Sequence, residues 1–215
     1  MMLRRLLLAL ALAGTLAAQT FIQMSDTQFG MYANDKDFAQ ETANFEFAVA
    51  TANRLKPAFV VVTGDLVNKS GDAAQVAEYK RIAAKLDPKI KLFSVPGNHD
   101  VGNEPTTESL ARYRESFGPD YYSFRVGDVA GIVLNSNLEK GTDKVPAEAA
   151  KMEAWFRNEL ERVKLTGVKH IIVFQHISFL LKDPNEVDQY SNIPKVVRER
   201  YLLVRYGIRR RVDGQ

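Results

Sequence analysis

The chain has 215 residues, 46% hydrophobic and 26% charged, which is the composition of a globular protein long enough to bury a sizeable core. Its formal net charge of +3 depends on Arg4, Arg5 and the cluster Arg209–Arg211, so the body of the chain has no basic bias and nucleic acid is not an expected partner. The absence of cysteine excludes disulfides and thiolate metal sites, which leaves His, Asp, Glu, Asn and Gln as candidate ligands.

Residues 1–18 have the pattern of a secretory signal peptide. Two arginines precede the apolar stretch Leu6–Ala13, and small residues including Ala17 and Ala18 follow it. The apolar run is shorter than the roughly 18–20 residues that span a bilayer, and an uncleaved anchor is the alternative. We therefore expect an exported protein, periplasmic or secreted, with one domain over residues 19–215 and no stable membrane span after cleavage.

Beyond this leader, short apolar runs alternate with helical patterns. Four runs predict strands: Phe21–Ser25, Ala58–Gly64, Lys91–Val95 and His170–Phe174. Apolar periodicity or a capping residue predicts four helices: Phe45–Leu55 before Pro57, a helix within Ala73–Leu86, Thr106–Phe117 and Met152–Val163. A hairpin is predicted in Tyr121–Asn137, with its turn near Gly127 and Asp128. This alternation favours a layered α/β fold with mostly parallel central sheets flanked by helices.

The last fifteen residues, Tyr201–Gln215, have a different pattern. They begin like a helix, turn at Gly207 and then predict a further strand that contains Arg209–Arg211. Three consecutive arginines stand where a buried strand would have valines. We therefore expect the sheet to be incomplete at this end.

Polar residues follow each of the four predicted strands. They are Asp26-Thr27-Gln28, Gly64-Asp65, Gly97-Asn98-His99-Asp100 and Gln175-His176. Taken singly, each is an ordinary turn residue, helix cap or histidine. In an open α/β sheet, however, ligands bind at the carboxyl edge, and carboxylate, amide and imidazole groups suit divalent metals. A structural domain in which these motifs coincide by chance would instead leave them far apart.

On these residues the chain resembles the calcineurin-like metallophosphoesterases, whose pattern is D-x-H, GD-x-x-N, GNH-D/E, a lone His after a strand, and G-H-x-H. Gly64–Asn68 and Gly97–Asp100 match in full, and His176 fits the lone histidine. The resemblance runs from Phe21 to Tyr206. It is closest to the subgroup with a D-x-Q-F-G first motif, here Asp26–Gly30, and some of that subgroup are linked to protein serine/threonine dephosphorylation.

The resemblance implies two-metal hydrolysis of phosphomonoesters, phosphoproteins among them. Asp26 and Asp65 would hold the first divalent ion, with Gln28 where many relatives have histidine. Asp65 would bridge to the second ion, which Asn98 and His176 would also bind. The ions would be Mn, Fe, Zn or Mg, and a bridging hydroxide would attack phosphorus.

The resemblance also implies roles for the neighbours of Asn98. His99 would contact the phosphate and protonate the leaving alkoxide, and Asp100 would orient the imidazole of His99. Asn68 would lie behind the metal ligands or face the substrate. For Gln28 a position off the metal, as a simple turn residue, is the alternative.

The chain departs from the family pattern at G-H-x-H. The nearest equivalent is Val212–Gln215, which has Gln in the place of the first histidine and no second position. Each ion would then lack one ligand. Three explanations compete: a truncated or frameshifted product, a pseudo-enzyme that binds phosphate or one metal without turnover, and a variant completed by a partner chain. The run Arg209–Arg211 in a strand that should be buried favours the first.

Overall fold

The computed structural model describes residues 19–206, so the predicted signal peptide and the predicted strand after Gly207 lie outside the described residues. The strands within this range are β1 (Phe21–Met24), β2 (Phe59–Thr63), β3 (Lys91–Val95), β4 (Tyr122–Val126), β5 (Val129–Val133) and β6 (His170–Phe174). The helices are α1 (Ala39–Leu55), α2 (Ala73–Ala83), α3 (Asn98–Val101), α4 (Thr107–Phe117), α5 (Asn137–Lys140), α6 (Pro146–Lys164) and α7 (Lys195–Tyr206).

These strands form two sheets of three strands each. The first sheet has the order β1-β2-β3 and is entirely parallel, so its three carboxyl ends lie at one edge. The second has the order β4-β5-β6, in which β4 and β5 form the predicted antiparallel hairpin and β5 and β6 run parallel. The predicted α/β fold is therefore confirmed, with the strands divided between two sheets.

Strand β2 lies at the centre of the first sheet, and all five of its residues are buried. Its side chains alternate between the two faces of the sheet. Val60 and Val62 belong to the core cluster that includes residues of α1 and α2, whereas Phe59 and Val61 belong to the cluster formed by residues of both sheets. The unbroken apolar run in the sequence reflects this burial on both faces.

The predicted helices form where periodicity or capping indicated them. In α1, Phe45, Val49 and Ala52 face the core. The helix ends at Leu55, and Lys56, between the helix and Pro57, has left-handed backbone angles. The Thr106 hydroxyl caps α4 by accepting a hydrogen bond from the amide of Ser109. Among residues 19–206, no helix is long and apolar enough to cross a membrane.

Strand β6 is less buried than its apolar sequence led us to expect. His170 is exposed, the three middle residues are half-buried, and only Phe174 is fully buried. The reason is topological, because β6 is hydrogen-bonded to β5 alone and forms one edge of the second sheet within the described part of the chain. The prediction of a buried strand therefore holds for Phe174 and only in part for the three residues before it.

The inner faces of the two sheets meet through a cluster of aromatic rings. Phe59 of β2 is completely buried and makes edge contacts with Phe124 of β4 and Phe174 of β6, at centroid distances of 5.3 and 6.3 Å. Phe93 of β3 stacks on Phe124, and Phe21 of β1 meets Phe174 edge-on. Each of the three strands in the first sheet therefore contributes a ring that contacts the second sheet, which fixes how the two sheets sit on each other.

Replacing Phe59 by alanine should destabilise the protein by about 3–5 kcal/mol, because a completely buried ring is lost and the surrounding strands cannot close the cavity. The matched control is Phe47→Ala, since Phe47 lies on the outer side of α1 with 74% of its surface exposed. That change should alter the free energy of unfolding by no more than about 0.5 kcal/mol. Urea unfolding of the two variants tests this, and equal losses of stability would contradict the assignment of Phe59 to the centre of the sheet interface.

Candidate metal centre

Residues that follow three of the strands converge on one small site. Asp26 follows β1, Asp65 follows β2 and His176 follows β6. Each offers one ligand atom, and these three atoms all lie within 4.8 Å of one another. Distant strand ends therefore meet as expected, although His176 comes from the second sheet and not from the edge that Asp26 and Asp65 share. A chance coincidence of motifs would not have brought them together.

The backbone turns sharply at the ends of β1 and β2. Asp26, Gln28 and Asp65 all have positive φ angles, of 56°, 35° and 49°, which are uncommon for residues other than glycine. Two hydrogen bonds tie the turns together: the Asp26 amide donates to the Gly64 carbonyl at 3.1 Å, and the Gln28 amide donates to the Asp65 carbonyl at 2.8 Å. These bonds hold both carboxylates at the sheet edge.

The glycines of the two best-matched motifs allow close approach at the site. A Cβ atom at Gly64 would lie 2.5 Å from Nδ1 of His176, and one at Gly97 would lie 2.2 Å from the Asp65 amide nitrogen. Both distances are too short for any side chain. The glycine before Asp65 therefore makes room for His176 of the second sheet, and the glycine before Asn98 makes room for Asp65.

His176 is held in one orientation by the strand beside it. Its Nδ1 donates to the carbonyl of Thr63 at 2.9 Å, which directs Nε2 into the site. Nε2 lies 3.4 Å from Oδ2 of Asp65 and 3.1 Å from Oδ1 of Asn98. Burial lowers the pKa of His176, but hydrogen bonding to Asp65 and the charge of that carboxylate outweigh burial and raise the pKa to about 9.

Asn98 begins α3 directly after β3, and its amide lies between His176 and the segment before α7. Its Oδ1 faces His176, whereas its Nδ2 donates to the hydroxyl of Tyr190 at 3.3 Å. This assignment leaves the amide oxygen on the side of the carboxylates. Tyr190 ends the acidic segment Lys182–Tyr190, which the sequence predicts to flank the site, and its contact with Asn98 places the end of this segment there.

His99 lies beside the cluster and is anchored at two points. Its backbone amide donates to Oδ1 of Asp65 at 2.9 Å. Its imidazole Nδ1 lies 2.8 Å from the backbone carbonyl of Asn68 and donates to it, which leaves Nε2 as the ring nitrogen that can meet a substrate. Asn68 therefore supports the site through its main chain.

The expectation that Asp100 orients the imidazole of His99 was wrong. Oδ1 of Asp100 accepts hydrogen bonds from the amides of Leu66 and Val67, and Oδ2 accepts one from the amide of Gly97. Burial raises the pKa of Asp100 to about 7, even though these bonds favour the ionised form. Asp100 therefore fastens the turn after β2 to the turn after β3. A carboxylate saturated by three backbone amides is not available to the neighbouring ring.

A chain of amide groups connects Gln28 to the surface. Nε2 of the buried Gln28 donates to Oδ1 of Asn68 at 3.3 Å, and Nδ2 of Asn68 donates to Oδ1 of Asp35 at 2.8 Å. The side chain of Gln75 also donates to Oδ1 of Asp35 and accepts a hydrogen bond from the backbone amide of Asn68. The amide nitrogen of Gln28 is thus directed at Asn68, and its role as a metal ligand stays a prediction. Nothing in a single sequence marks Asp35 or Gln75 as part of this network.

The donors at the site fit a divalent metal. Two carboxylates, an amide oxygen and an imidazole whose far nitrogen is fixed by a carbonyl are ligands that hard and borderline ions accept. Asp65 is the best placed to be shared, since its two oxygens face different neighbours, the His99 amide and the His176 ring. The equivalent of G-H-x-H, predicted at Val212–Gln215, lies outside the described residues.

Comparison with known proteins agrees with this geometry. The family model described as calcineurin-like phosphoesterase matches residues 19–209. The chain therefore belongs to the calcineurin-like phosphoesterase family, whose members use divalent metals. Together with phosphatase-named relatives, this membership supports a hydrolase that acts on phosphate esters.

Among curated proteins, the chain is similar to the serine/threonine-protein phosphatase CPPED1 of several vertebrates. It is 36% identical to the protein from Mus musculus over 211 residues, which is 90% of this chain and 68% of that protein. It is 34% identical to the Homo sapiens protein over 196 residues, which is 84% of this chain and 62% of that protein. The chain thus spans about two thirds of the length of these relatives.

Solved structures show the same fold at low sequence identity. A dimetal phosphatase from Danio rerio has a TM-score of 0.55 at 16% identity, covering 86% of this chain and 76% of that one. A purple acid phosphatase from Lupinus luteus seeds also has a TM-score of 0.55 at 12% identity, covering 75% of this chain and 31% of that one. These likenesses concern the arrangement of strands and helices.

The ion pair between Asp65 and His176 should make the metal-free protein less stable as pH rises. Folding raises the pKa of His176 from 6.5 to about 9, so the stabilisation is fully present below about pH 6.5 and is lost as pH rises through about 9. Free energies of unfolding measured in chelator from pH 6 to pH 10 should show this decline.

The same series with His176→Gln separates this ion pair from other groups that titrate in the range. The variant should lack the part of the decline that belongs to His176. Identical pH profiles for the two proteins, or an imidazole proton resonance of His176 that titrates near pH 6.5, would contradict the assignment.

Proposed function

We propose that this chain contains the active centre of a metal-dependent phosphoesterase that hydrolyses phosphomonoesters. The observation that carries this proposal is the convergence of Asp26, Asp65 and His176 within 4.8 Å of one another. The imidazole of His99 is held beside this cluster by the Asn68 carbonyl, with one ring nitrogen left free. A metal-ligand cluster next to an oriented imidazole is the arrangement that phosphate-ester hydrolysis requires.

The proposal includes two divalent ions. Asp26, Asp65 and Gln28 would hold one, and Asp65, Asn98 and His176 would hold the other. Bound ions would supply Lewis acidity that makes water nucleophilic at neutral pH and neutralises the charge on the phosphoryl group. The protein supplies donors whose orientations are set before any ion binds, since Thr63 fixes the His176 ring and Tyr190 fixes the Asn98 amide.

His99 would act on the leaving group. With Nδ1 donating to the Asn68 carbonyl, a protonated ring carries its second proton on Nε2. That proton would pass to the ester oxygen as the P–O bond breaks, so the product leaves as a neutral alcohol. The hydrogen bond from the His99 backbone amide to Asp65 fixes the position of this general acid relative to the proposed metal ligands.

The substrate class that we propose is phosphoserine or phosphothreonine in proteins. Its support is the similarity of 34–36% to proteins named serine/threonine-protein phosphatase over most of this chain. The leaving group of such a substrate is an alkoxide with a high pKa, and a positioned general acid lowers the barrier most for leaving groups of this kind. The proposed role of His99 therefore suits this class.

Replacing His99 by asparagine should lower turnover of an alkyl phosphate by roughly a hundredfold or more, because the general acid is lost. Metal content should stay unchanged, since the backbone amide of residue 99 still donates to Asp65. The matched control is His170→Asn, at the exposed start of β6, which should keep wild-type turnover. Elemental analysis and phosphate release are measured on the same preparations, and equal rates for the two variants would sink the proposed role of His99.

A second function has one specific observation in its favour. Within residues 19–206 the carboxylate and histidine side chains form one cluster of three ligands, which is sufficient for a single ion. A protein that binds one ion or phosphate without turnover would show at most one metal per chain and no phosphate release above the His99→Asn background. Two ions per chain with turnover above that background would exclude this second function.

We also propose that the protein is exported, on the strength of the pattern in residues 1–18. When the full chain is expressed in a Gram-negative bacterium, the mature protein should lack these residues and begin at Gln19. Leu7→Arg, which places a charge in the apolar stretch, should leave the chain unprocessed in the cytoplasm. Mass spectrometry of the periplasmic and cytoplasmic fractions shows whether residues 1–18 have been removed. An unprocessed wild-type chain would contradict cleavage.

A further inference from the structure

A cavity of about 440 Å³ opens next to the metal centre, between the turn after β1 and the helix α1. Asp26 and Gln28 form its border with the proposed metal ligands. The rest of its wall combines apolar side chains with polar ones. The apolar part is formed by Met24, Met31, Tyr32, Phe45 and Ala48, and the polar part by Ser25, Thr27, Glu41 and Asn44. A space of this size with apolar walls and a few polar groups is typical of a ligand site.

Glu41 is the polar group in this wall that its own surroundings do not satisfy. It lies in the first turn of α1 and is only 3% exposed. Oε1 accepts a hydrogen bond from the Tyr32 amide at 2.8 Å, whereas Oε2 is buried and has no hydrogen-bond partner among the described residues. A buried carboxylate oxygen without a partner is costly, and a ligand that donates to it would remove that cost.

A role for Glu41 in the fold alone accounts for only one of its two oxygens. Oε1 ties the loop at Tyr32 to α1, and a glutamine could make the same bond without burying a charge. The first turn of a helix stabilises negative charge, so the position suits an ionised carboxylate. The unpaired oxygen therefore indicates a cationic hydrogen-bond donor from outside residues 19–206.

The wall also indicates the shape of the occupant. Among residues 19–206, those that line the cavity include no Lys or Arg, while both Asp26 and Glu41 are acidic. The methyl and methylene groups of Met24, Met31 and Ala48 suit an aliphatic stem, and the ring of Tyr32, 69% exposed, suits a neighbouring cation. An apolar stem that ends in a cation is the side chain of arginine or lysine.

We propose that this cavity is a subsite for a basic side chain of a phosphopeptide substrate, with Glu41 as the acceptor for its cationic head. The inference rests on the proposed phosphoesterase function, because the cavity meets the metal centre at Asp26. A phosphoserine at the metals would place a residue close to it in sequence at Glu41. The subsite thus selects peptides with a basic residue at one fixed distance from the phosphate.

The experiment uses phosphoserine peptides that carry a single arginine at each position from three residues before to three residues after the phosphate, and a reference peptide with norleucine instead. The wild-type protein should favour arginine at one position by about tenfold in kcat/KM, the effect of one charge-assisted hydrogen bond. In Glu41→Gln the ratio of the arginine peptide to the norleucine peptide should fall to about one. The matched control is Glu46→Gln, also on α1, where the carboxylate pairs with Arg81 and Lys85 at the surface. Its ratio should remain that of the wild type.

A further variant and a set of non-hydrolysable peptides test the subsite independently of catalysis. Ala48→Leu extends an apolar side chain into the cavity without removing a polar contact, and it should reduce the same ratio. Phosphonate versions of the peptides, which cannot be hydrolysed, report the preference as a ratio of Kd values. If no substrate is turned over but the Kd ratio still depends on Glu41, the proposed catalysis fails and the subsite stands.

Three outcomes would overturn the subsite. The first is a wild-type protein that is indifferent to arginine at every position in both kcat/KM and Kd. The second is a preference that Glu41→Gln leaves intact. The third is a preference for adenosine monophosphate over all the peptides that is lost in Glu41→Gln, since the cavity would then recognise a nucleobase.

Discussion

The packing of one sheet on the other is the constraint on which the site depends. Asp26, Asp65 and Asn98 come from the first sheet, whereas His176 comes from the end of β6 in the second. Among the described residues no backbone ladder joins the two sheets, so their relative position is set by side chains. These are chiefly the rings around Phe59 and Phe124, together with the Tyr122 hydroxyl of β4, which hydrogen-bonds to the backbone of Ser94 in β3. Aromatic packing of this kind is rigid because interiors are packed as densely as crystals. A shift of either sheet would therefore separate His176 from its three neighbours.

The turns at the strand ends place the side chains of the site at the edge of the packed sheets. Three residues that are not glycine adopt positive φ at the ends of β1 and β2, and each such conformation is held against a cost of order 1 kcal/mol. The restraint comes from the backbone hydrogen bonds between the turns after β1 and β2, and from Asp100, which accepts hydrogen bonds from the amides of Leu66, Val67 and Gly97. Asp100 thus serves the site by holding the backbone in place, whereas the family resemblance had implied that it orients the imidazole of His99.

Features of the fold and the site could be predicted from the sequence where they depend on residues close together in the chain. They were harder to predict where they depend on contacts between distant residues. The run at β2, the hairpin and the helix cap at Thr106 are local patterns, and the structure has them where they were expected. The meeting of Asp26 and Asp65 followed from one topological rule, that carboxyl ends of parallel strands share an edge. The approach of His176 depends instead on the packing of the second sheet on the first. The partner of His99 did not follow, because it is a main-chain carbonyl, and every residue carries one. Glu41 was missed for a similar reason, since its significance lies in an oxygen left unpaired by the packing of α1 on the turn after β1.

The charges of the site partly compensate one another. Asp26, Asp65 and Asp100 bring three carboxyl groups to neighbouring strand ends. Burial raises the pKa of Asp100, and the pKa of His176, raised to about 9, keeps this imidazole cationic beside Asp65. As the ligand that we propose, His176 would have to give up its proton on Nε2, because only a neutral imidazole can coordinate. Binding of a divalent ion would then exchange a proton for a cation beside the carboxylate of Asp65. Affinity for metal would therefore rise with pH over the interval in which His176 otherwise keeps its proton.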